Sequence, residues 1–198
     1  MTTYKQTSNA TAEIDASFGG VTKTAELSVK PDPVTAKPVS IFKSTAVPAI
    51  QSDPDYQSVE LGMKFQSDVA GTVTGIRFYK GRLNKGRHIG HLWTARGDLL
   101  GTVTFVNETA YGWQQANFSK PVAIQPNTVY VVSYHAPRGY YADDTSFFTS
   151  AFNNPPLHAL QDGTNGPNGL YIYGGSAFPD EGWQASNYWV DVVFVPSN

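Results

Sequence analysis

Aromatic and polar side chains are concentrated in four glycine-containing segments, and this combination is the one that sugar recognition requires. The C–H face of a pyranose ring packs against a flat apolar ring such as that of Trp or Tyr, and its hydroxyls need planar hydrogen-bonding groups nearby. The four segments are 84–88 (NKGRH), 111–115 (YGWQQ), 135–144 (HAPRGYYADD) and 180–184 (DEGWQ). Binding residues commonly lie on loops that a rigid scaffold positions. The segments therefore predict a carbohydrate-binding surface.

Nine residues of these segments are the candidates for contact with a sugar. The rings predicted to stack on it are Trp113, Tyr140, Tyr141 and Trp183. The polar side chains predicted to bind its hydroxyls are Asn84, Arg87, His88, His135 and Asp143. The alternative is that the rings clamp one loop onto another, and for Trp113, at the start of a predicted strand, core packing is an equal alternative. Trp93 and Trp189 lie within alternating strands and are predicted to belong to the core.

Four carboxylates near the ends of the main domain are the candidates for a structural calcium site. They are Asp53, Asp55, Glu60 and Asp191. Calcium takes several carboxylate and carbonyl oxygens on a flexible frame. Asp191 shares a strand face with Trp189 and Val193, so its side chain is predicted to point inward, where a carboxylate needs a partner. Arg77, backbone N–H groups or a metal ion would each serve, and the sequence leaves these alternatives open.

Signals for catalysis are weak, and the chain is expected not to be an enzyme. It contains neither a G-x-S-x-G nor an H-E-x-x-H motif. His88 and His91 are three residues apart in a predicted strand, so they point to opposite faces and do not chelate one metal well. Asp143 and Asp144 are adjacent, which is typical of solvated turn acids and not of an opposed glycosidase pair. A deep polar pocket holding His135 or Asp143 with a shifted pKa would instead favour an enzyme.

The composition of the chain excludes several classes of function. Its 198 residues include no Cys, which rules out disulfides, thiolate catalysis and Cys-based zinc sites. The formal net charge of -2 gives no electrostatic case for binding nucleic acid. There is no apolar run of about 18 residues that would predict a membrane span. The first residues lack the apolar stretch of a signal peptide, so an exported parent protein is expected to be longer than this chain.

The elements that must position the candidate residues are β-strands. Short runs of Val, Ile, Thr, Tyr and Phe alternate with Gly, Pro, Asn and Asp clusters, and no sustained helical spacing occurs. The strands predicted in the main domain are 59–65, 75–80, 88–93, 99–105, 113–118, 129–135, 171–173 and 187–195. Such a series over residues 40–196 predicts an all-β, antiparallel, jelly-roll-like β-sandwich with long aromatic-rich loops. The longest connection, 137–169, is expected to be ordered because it carries many aromatics.

Two further segments precede this domain. Residues 1–30 contain two alternating runs, 12–18 and 21–29, joined by Gly19-Gly20, which predicts a terminal hairpin. Residues 31–39 contain Pro31, Pro33 and Pro38 and predict a stiff linker, because each Pro fixes φ and lacks an N–H group.

The string VELGMKFQSDVAGTVTGIRFYKG from residue 59, continued by the later motifs and by NYWVDVVF from residue 187, resembles domain-of-unknown-function family 4082 over about residues 40–196. The preceding ASFGGVTKTAELSVKP resembles the last hairpin of a bacterial immunoglobulin-like repeat. The first resemblance implies an extracellular accessory module of a large exported bacterial protein. It implies no catalytic residues and no ligand.

The expected function is therefore that of a monomeric, non-catalytic carbohydrate-binding module, secreted or displayed on the cell surface. Its expected partners are a polysaccharide and the neighbouring domains of the parent protein. The rival from another class is a structural or adhesive spacer whose aromatic residues only pack its loops together. Exposed rings beside an open groove would favour the sugar-binding hypothesis, and inward-facing rings would favour the spacer.

Overall fold

The computed structural model describes residues 10–29 and 36–197, which form two compact units. The first unit is a hairpin and the second is a domain that extends from Lys37 to Ser197. Val39, placed by sequence in the linker, already belongs to the domain, because its N–H and C=O groups both pair with Phe194 at 2.8 Å. Residues 31–35 of the predicted linker lie outside the described residues. The part of the chain that the structure describes contains no helix with the length and apolar composition needed to cross a bilayer.

The hairpin confirms the two strands predicted before the linker. β1 (Ala10–Phe18) and β2 (Val21–Val29) are antiparallel, with Phe18 opposite Val21. Gly19 and Gly20 both have positive φ, +58° and +80°, which the two-residue turn requires and which glycine adopts without steric cost. Its resemblance to an immunoglobulin-like repeat stays a prediction.

The domain contains eleven further strands and one short 3-10 helix over Phe147–Thr149. The strands are β3 (Val59–Ser67), β4 (Gly71–Lys80), β5 (Ile89–Thr94), β6 (Leu99–Thr104), β7 (Gly112–Ile124), β8 (Tyr130–Ala136), β9 (Phe152–Asn154), β10 (Leu157–Ala159), β11 (Leu170–Tyr173), β12 (Glu181–Gly182) and β13 (Val190–Pro196). Each of the eight predicted strands is present.

The domain strands form two antiparallel sheets. The larger has the order β12-β11-β3-β8-β5-β6, and β10 also pairs with β3 and carries β9 on its other side. The smaller has the order β13-β4-β7. The packed sheets confirm the predicted all-β, antiparallel β-sandwich. The strands divide unequally, and the long 137–169 connection contributes the 3-10 helix, β9 and β10.

The core lies between the sheets and follows the predicted alternation. Val59, Leu61, Met63 and Phe65 of β3 are all at most 1% exposed. Each fully buried large apolar side chain contributes about 1.5–3 kcal/mol of transfer free energy. The residue between the first two of them, Glu60, is buried on the opposite face of the strand. Trp93 and Trp189, predicted to be core residues, are both buried.

A buried ion pair joins the beginning of the domain to its last strand. The Asp191 carboxylate is fully buried in β13 and accepts hydrogen bonds from the N–H groups of Ile41 and Phe42, each at 2.9 Å. The Arg77 guanidinium of β4 lies 2.7 Å from the same carboxylate and also donates to the Phe42 carbonyl. Asp191 thus has the salt bridge and backbone donors that the sequence offered as alternatives to a metal.

Candidate functional site

A cleft of about 350 Å³ opens where four segments of the domain meet. The segments are the loop before β3, the loop after β8, strand β11, and the loop between β12 and β13. Its lining residues are carboxylates and aromatic rings, two from each segment: Asp53, Asp55, Tyr141, Asp143, Tyr171, Tyr173, Trp183 and Tyr188. The cleft is therefore an acidic space with aromatic walls.

Backbone hydrogen bonds hold these loops to one another. The Asp53 N–H donates to the Tyr141 carbonyl at 2.8 Å, and the Tyr140 N–H donates to the Asp55 carbonyl at 2.6 Å. Further on, the Asp143 N–H donates to the Ile50 carbonyl at 2.9 Å. Loops whose backbone groups are paired in this way are fixed much as strands are. The lining side chains therefore stand on a rigid frame.

Asp55 fixes two of the tyrosine rings. Its Oδ2 accepts hydrogen bonds from the hydroxyls of Tyr141 at 3.1 Å and Tyr173 at 2.7 Å, and its Oδ1 accepts one from the Gln57 N–H at 2.9 Å. Hydrogen bonds to an ionised carboxylate are among the stronger ones in proteins. Burial and the bond to Asp55 raise the pKa of Tyr173 to about 12. Both hydroxyls therefore stay protonated at neutral pH, and the rings stay oriented.

Asp143 differs from Asp55 because its carboxylate is largely unpaired. The residue is only 5% exposed, and among the described residues its buried Oδ1 has no hydrogen-bond partner. Burial raises the pKa of Asp143 to about 6; the nearby Ser186 hydroxyl opposes this rise, and the negative charges of Asp53 and Asp144 add to it. A buried acceptor without a protein partner is costly, so this oxygen calls for a donor from solvent or from a ligand.

The prediction that Asp143 and Asp144 are solvated turn acids is wrong. Asp143 is buried, and Asp144 accepts hydrogen bonds from the Ala49 N–H at 2.8 Å and from the Trp189 indole N–H at 3.0 Å. Asp144 therefore connects the loop after β8 to the loop before β3 and to the aromatic core. Adjacency in sequence gave no sign of these distant donors.

Trp183 lines the cleft and is 56% exposed. It also lines a second cleft of about 390 Å³. The other residues of this second cleft are Ser146, Thr149, Asp162, Pro167, Gly182, Gln184 and Ala185. The prediction that Trp183 is an exposed loop ring is confirmed, and a ligand longer than one ring could contact it from both clefts.

Backbone strain is concentrated around the two clefts. Seven non-glycine residues of the described chain have positive φ, and five of them belong to the loops that form the clefts. The five are Tyr140, Ser146, Gln184, Ala185 and Trp189. Such conformations cost on the order of 1–3 kcal/mol each and persist where the surrounding structure enforces them, often at binding sites.

We expect Gln184→Gly to raise the free energy of unfolding by up to about 1 kcal/mol, because φ at Gln184 is +48° and glycine adopts this conformation without a Cβ clash. The backbone there is held by a hydrogen bond from the Ser146 N–H to the Gln184 carbonyl at 2.7 Å, so the conformation is retained. Urea denaturation measures the change. The matched control is Gln115→Gly in β7, which should lower stability by about 0.5–1 kcal/mol. Equal destabilisation by both changes would contradict the assignment of strain.

Three of the nine predicted sugar contacts line the first cleft: Tyr141, Asp143 and Trp183. Tyr140 is half-buried next to them and contributes its backbone N–H to the frame. Tyr141 is more enclosed than predicted, because its ring packs edge-on against Tyr188 at 5.6 Å.

Two other candidates, Asn84 and His88, are not available to a ligand, and their prediction as contacts is wrong; for Trp113 the contacts favour the alternative of core packing. Asn84 and His88 are fully buried and hydrogen bonded to each other at 2.7 Å, and His88 also bonds to Glu108 at 2.8 Å. Trp113 is half-buried, stacks near Phe42 and donates its indole N–H to the Ala46 carbonyl at 2.9 Å. These side chains stabilise the interior.

The remaining two candidates line neither cleft. Arg87 is exposed and reaches the Thr104 hydroxyl at 3.4 Å. His135 is half-buried, with its Nε2 2.9 Å from the Ser58 hydroxyl and 3.2 Å from the Gly174 carbonyl. Arg87 thus contacts the end of β6, and His135 contacts the residue that follows β11.

The four candidate calcium ligands are divided between the cleft and the interior. Asp53 and Asp55 line the cleft, whereas the Asp191 carboxylate forms a salt bridge with Arg77. Glu60 is fully buried, with His91 at 2.9 Å and the Ser133 hydroxyl at 2.6 Å from its Oε1. Within residues 10–29 and 36–197, no group of three or more His, Asp or Glu side chains is arranged to hold a metal ion.

Sequence reasoning missed Tyr171, Tyr173 and Tyr188 as cleft residues. The spacing of Tyr171 and Tyr173 did carry a signal, because residues i and i+2 of a strand point to the same face. Their rings are 5.5 Å apart, edge to face. Tyr188 carried no such signal, since it lies in a loop beside a core tryptophan.

Residues 45–190 match a family described as a domain of unknown function, DUF4082. The chain belongs to this family. The resemblance seen in the sequence is thereby confirmed, and all the residues of both clefts lie within the matched span. The clefts are thus part of the DUF4082 domain. A comparison with curated proteins gave no match.

Proposed function

We propose that the DUF4082 domain binds a carbohydrate in the cleft around Trp183 and does not transform it. The observation that carries the proposal is an exposed indole at the junction of two clefts, with three carboxylates in the first of them. A flat apolar ring beside hydrogen-bond acceptors is complementary to a pyranose, whose faces are apolar and whose rim is made of hydroxyls. The size of the first cleft, about 350 Å³, falls in the range of small-molecule sites.

The polar groups of the cleft are suited to accept hydrogen bonds from sugar hydroxyls. Among the described residues, the buried Oδ1 of Asp143 has no donor, and Asp53 accepts one hydrogen bond, at its Oδ1 from the Asp55 N–H at 2.8 Å. A ligand hydroxyl that donates to Asp143 would offset the cost of its burial, which gives the ligand a specific gain. The tyrosines held by Asp55 complete the apolar walls.

The wider role that we propose is that of a non-catalytic accessory module in an exported bacterial protein. The resemblance noted in the sequence, which implies an extracellular accessory module, supports this wider role. Affinity is expected to be modest, because each hydroxyl contact replaces one with water and the site is an open cleft.

We expect Trp183→Ala to weaken glycan binding at least about tenfold, since exposed aromatic anchors at the centre of a site carry a large share of binding energy. Isothermal titration calorimetry of the unmodified protein against a panel of plant, algal and microbial glycans identifies the best ligand. The affinity of the variant for that ligand is then measured in the same way. Tyr111→Ala is the matched control, because Tyr111 is an exposed ring outside both clefts. Silence across the whole panel, or equal losses in both variants, would favour the spacer hypothesis.

One observation favours a second candidate function, the hydrolysis of a glycosidic bond. Asp143 is a cleft carboxyl whose burial raises its pKa to about 6, and Asp53 adds to the rise. A carboxyl whose pKa is raised, next to a second carboxylate, is the pattern of a general acid and its partner. Release of reducing ends from a bound glycan, lost in Asp143→Asn, would establish this function. Binding without turnover would leave the accessory role.

A further inference from the structure

The charge of the cleft around Trp183 is one-sided. Three of its eight lining residues are carboxylates, and none of the eight is Lys, Arg or His. The Asp55 charge is shared among three donors, the hydroxyls of Tyr141 and Tyr173 and the N–H of Gln57. Asp53 and Asp143 lack such compensation, because Asp53 has one backbone donor and the buried Oδ1 of Asp143 has none among the described residues. The cleft therefore has an excess of negative charge.

The aromatic lining acts in the same direction as the carboxylates. The other five lining residues are Tyr141, Tyr171, Tyr173, Trp183 and Tyr188. The faces of such rings carry the negative part of the quadrupole and attract ammonium groups within about 6 Å. A space lined only by carboxylates and aromatic rings is thus complementary to a cation with an apolar body, and it repels uronic acids and sulfated sugars.

The position of Asp143 shows where the positive charge would be received. The residue lines the cleft, only 5% of its surface is exposed, and its Oδ1 has no hydrogen-bond partner in the described part of the chain. A buried carboxylate is stabilised by a charged donor more than by a neutral one. A ligand that carries an ammonium group would supply both the charge and the hydrogen bond.

We propose that the sugar bound in this cleft carries a free, protonated amino group, and that Asp143 and Asp53 bind this group. The inference rests on the proposed function, which it narrows from carbohydrates in general to amino sugars. Trp183 and the tyrosines contact the apolar face of the ring, and the two carboxylates receive the ammonium group. No bond is made or broken.

Three β-1,4-linked tetrasaccharides with the same backbone test this inference: the glucosamine tetramer, its fully N-acetylated form, and neutral cellotetraose. We expect the glucosamine tetramer to bind at least about tenfold more tightly than either of the others at pH 6 and low salt. The preference should shrink as sodium chloride is raised towards 1 M, because charge contacts near a surface are screened. Titration calorimetry measures all three affinities.

The variants Asp143→Asn and Asp53→Asn should each lower the affinity for the glucosamine tetramer about tenfold. The second variant serves if the first does not fold, as judged by its thermal transition. Asp180→Asn is the control, since Asp180 is exposed, lines neither cleft and carries the same charge. An equal loss in Asp180→Asn would mean a general charge effect and would overturn the assignment.

The outcomes separate this inference from the proposed function. If cellotetraose or another neutral glycan binds as well as the aminated one, the amino-sugar inference fails and carbohydrate binding stands. If a sulfated or uronic acid polymer binds best, the inference also fails. If no sugar of any kind binds, both fail together.

Discussion

Asp191→Ala is expected to lower the free energy of unfolding of the domain by about 3–5 kcal/mol, because it leaves the Arg77 guanidinium buried without its carboxylate. The same change removes the carboxylate that accepts hydrogen bonds from the N–H groups of Ile41 and Phe42. These two bonds attach the segment before β3 to β13. A buried donor without a partner costs about 1–3 kcal/mol. The segment should therefore loosen together with the ion pair.

Urea denaturation followed by tryptophan fluorescence measures this effect, with Asp180→Ala as the control. Asp180 is an exposed acid on the same domain, and its removal should change stability by less than about 0.5 kcal/mol. Asp191→Asn should lie between the two, because the amide keeps one acceptor but loses the charge. A loss below about 1 kcal/mol for Asp191→Ala would contradict the view that this pair fastens the domain.

The sandwich and its core were predictable because strand periodicity is a local signal. In β3 every second residue is apolar, and the same pattern placed Asp191 inward with Arg77 as a potential partner. Alternation predicts the face of the sheet to which a side chain points, and a charged side chain that points inward needs an opposite charge or hydrogen-bond partners. Together these two rules yield the ion pair from sequence, although they do not choose it over a metal.

One strand extends further than its sequence suggested. The predicted strand covered residues 113–118, and three residues further on Pro121 lacks the N–H group that a strand ladder uses. In the structure β7 continues to Ile124, and the register against β4 shifts so that Val73 faces Val122 while Gly75 faces Asn117. The residues in between, Pro121 among them, form a bulge opposite Thr74, where no ladder donor is required.

The buried polar residues were misread because their partners are distant in sequence. Asn84 and His88 looked like loop residues that read hydroxyls, yet Glu108 and Lys80 complete a buried cluster with His88. Lys80 lies 2.7 Å from Glu108, and both bonds lower the pKa of that carboxyl against the opposing effect of burial. A polar residue's own neighbours in the chain do not show whether a partner exists, so a satisfied interior cluster resembles an exposed site.

The cleft itself could be predicted only in part. Composition marked the loops that carry Tyr141, Asp143 and Trp183, since aromatics beside glycine and acids are unusual in a core. Their convergence with Asp53 and with Tyr173 depends on the strand order, which brings β11 beside β3. A sequence pattern does not contain this pairing. Two of the five rings were therefore found and three were missed, and Asp55, which fixes two of the rings, was predicted as a calcium ligand instead.

The turn at Gly139 is the point at which folding and binding should fail together. Its φ is +61°, and a Cβ built there would stand 2.2 Å from the Asp55 carbonyl oxygen and 2.9 Å from that of Gln57. Both atoms are backbone, so the loop that carries Asp55 would have to move. We expect Gly139→Ala to lower the free energy of unfolding by roughly 2–4 kcal/mol, from backbone strain and overpacking.

Because Asp55 holds the hydroxyls of Tyr141 and Tyr173, the same change should weaken ligand binding about tenfold in the protein that remains folded. Gly163→Ala is the matched control: its φ is +84°, but a Cβ there meets nothing within 4 Å. It should incur only the cost of the backbone conformation and leave binding intact, as measured by urea denaturation and titration calorimetry. If both alanine variants lost stability equally and neither lost affinity, the Asp55 loop would not be the frame of the site, since its displacement would have had no effect on the rings.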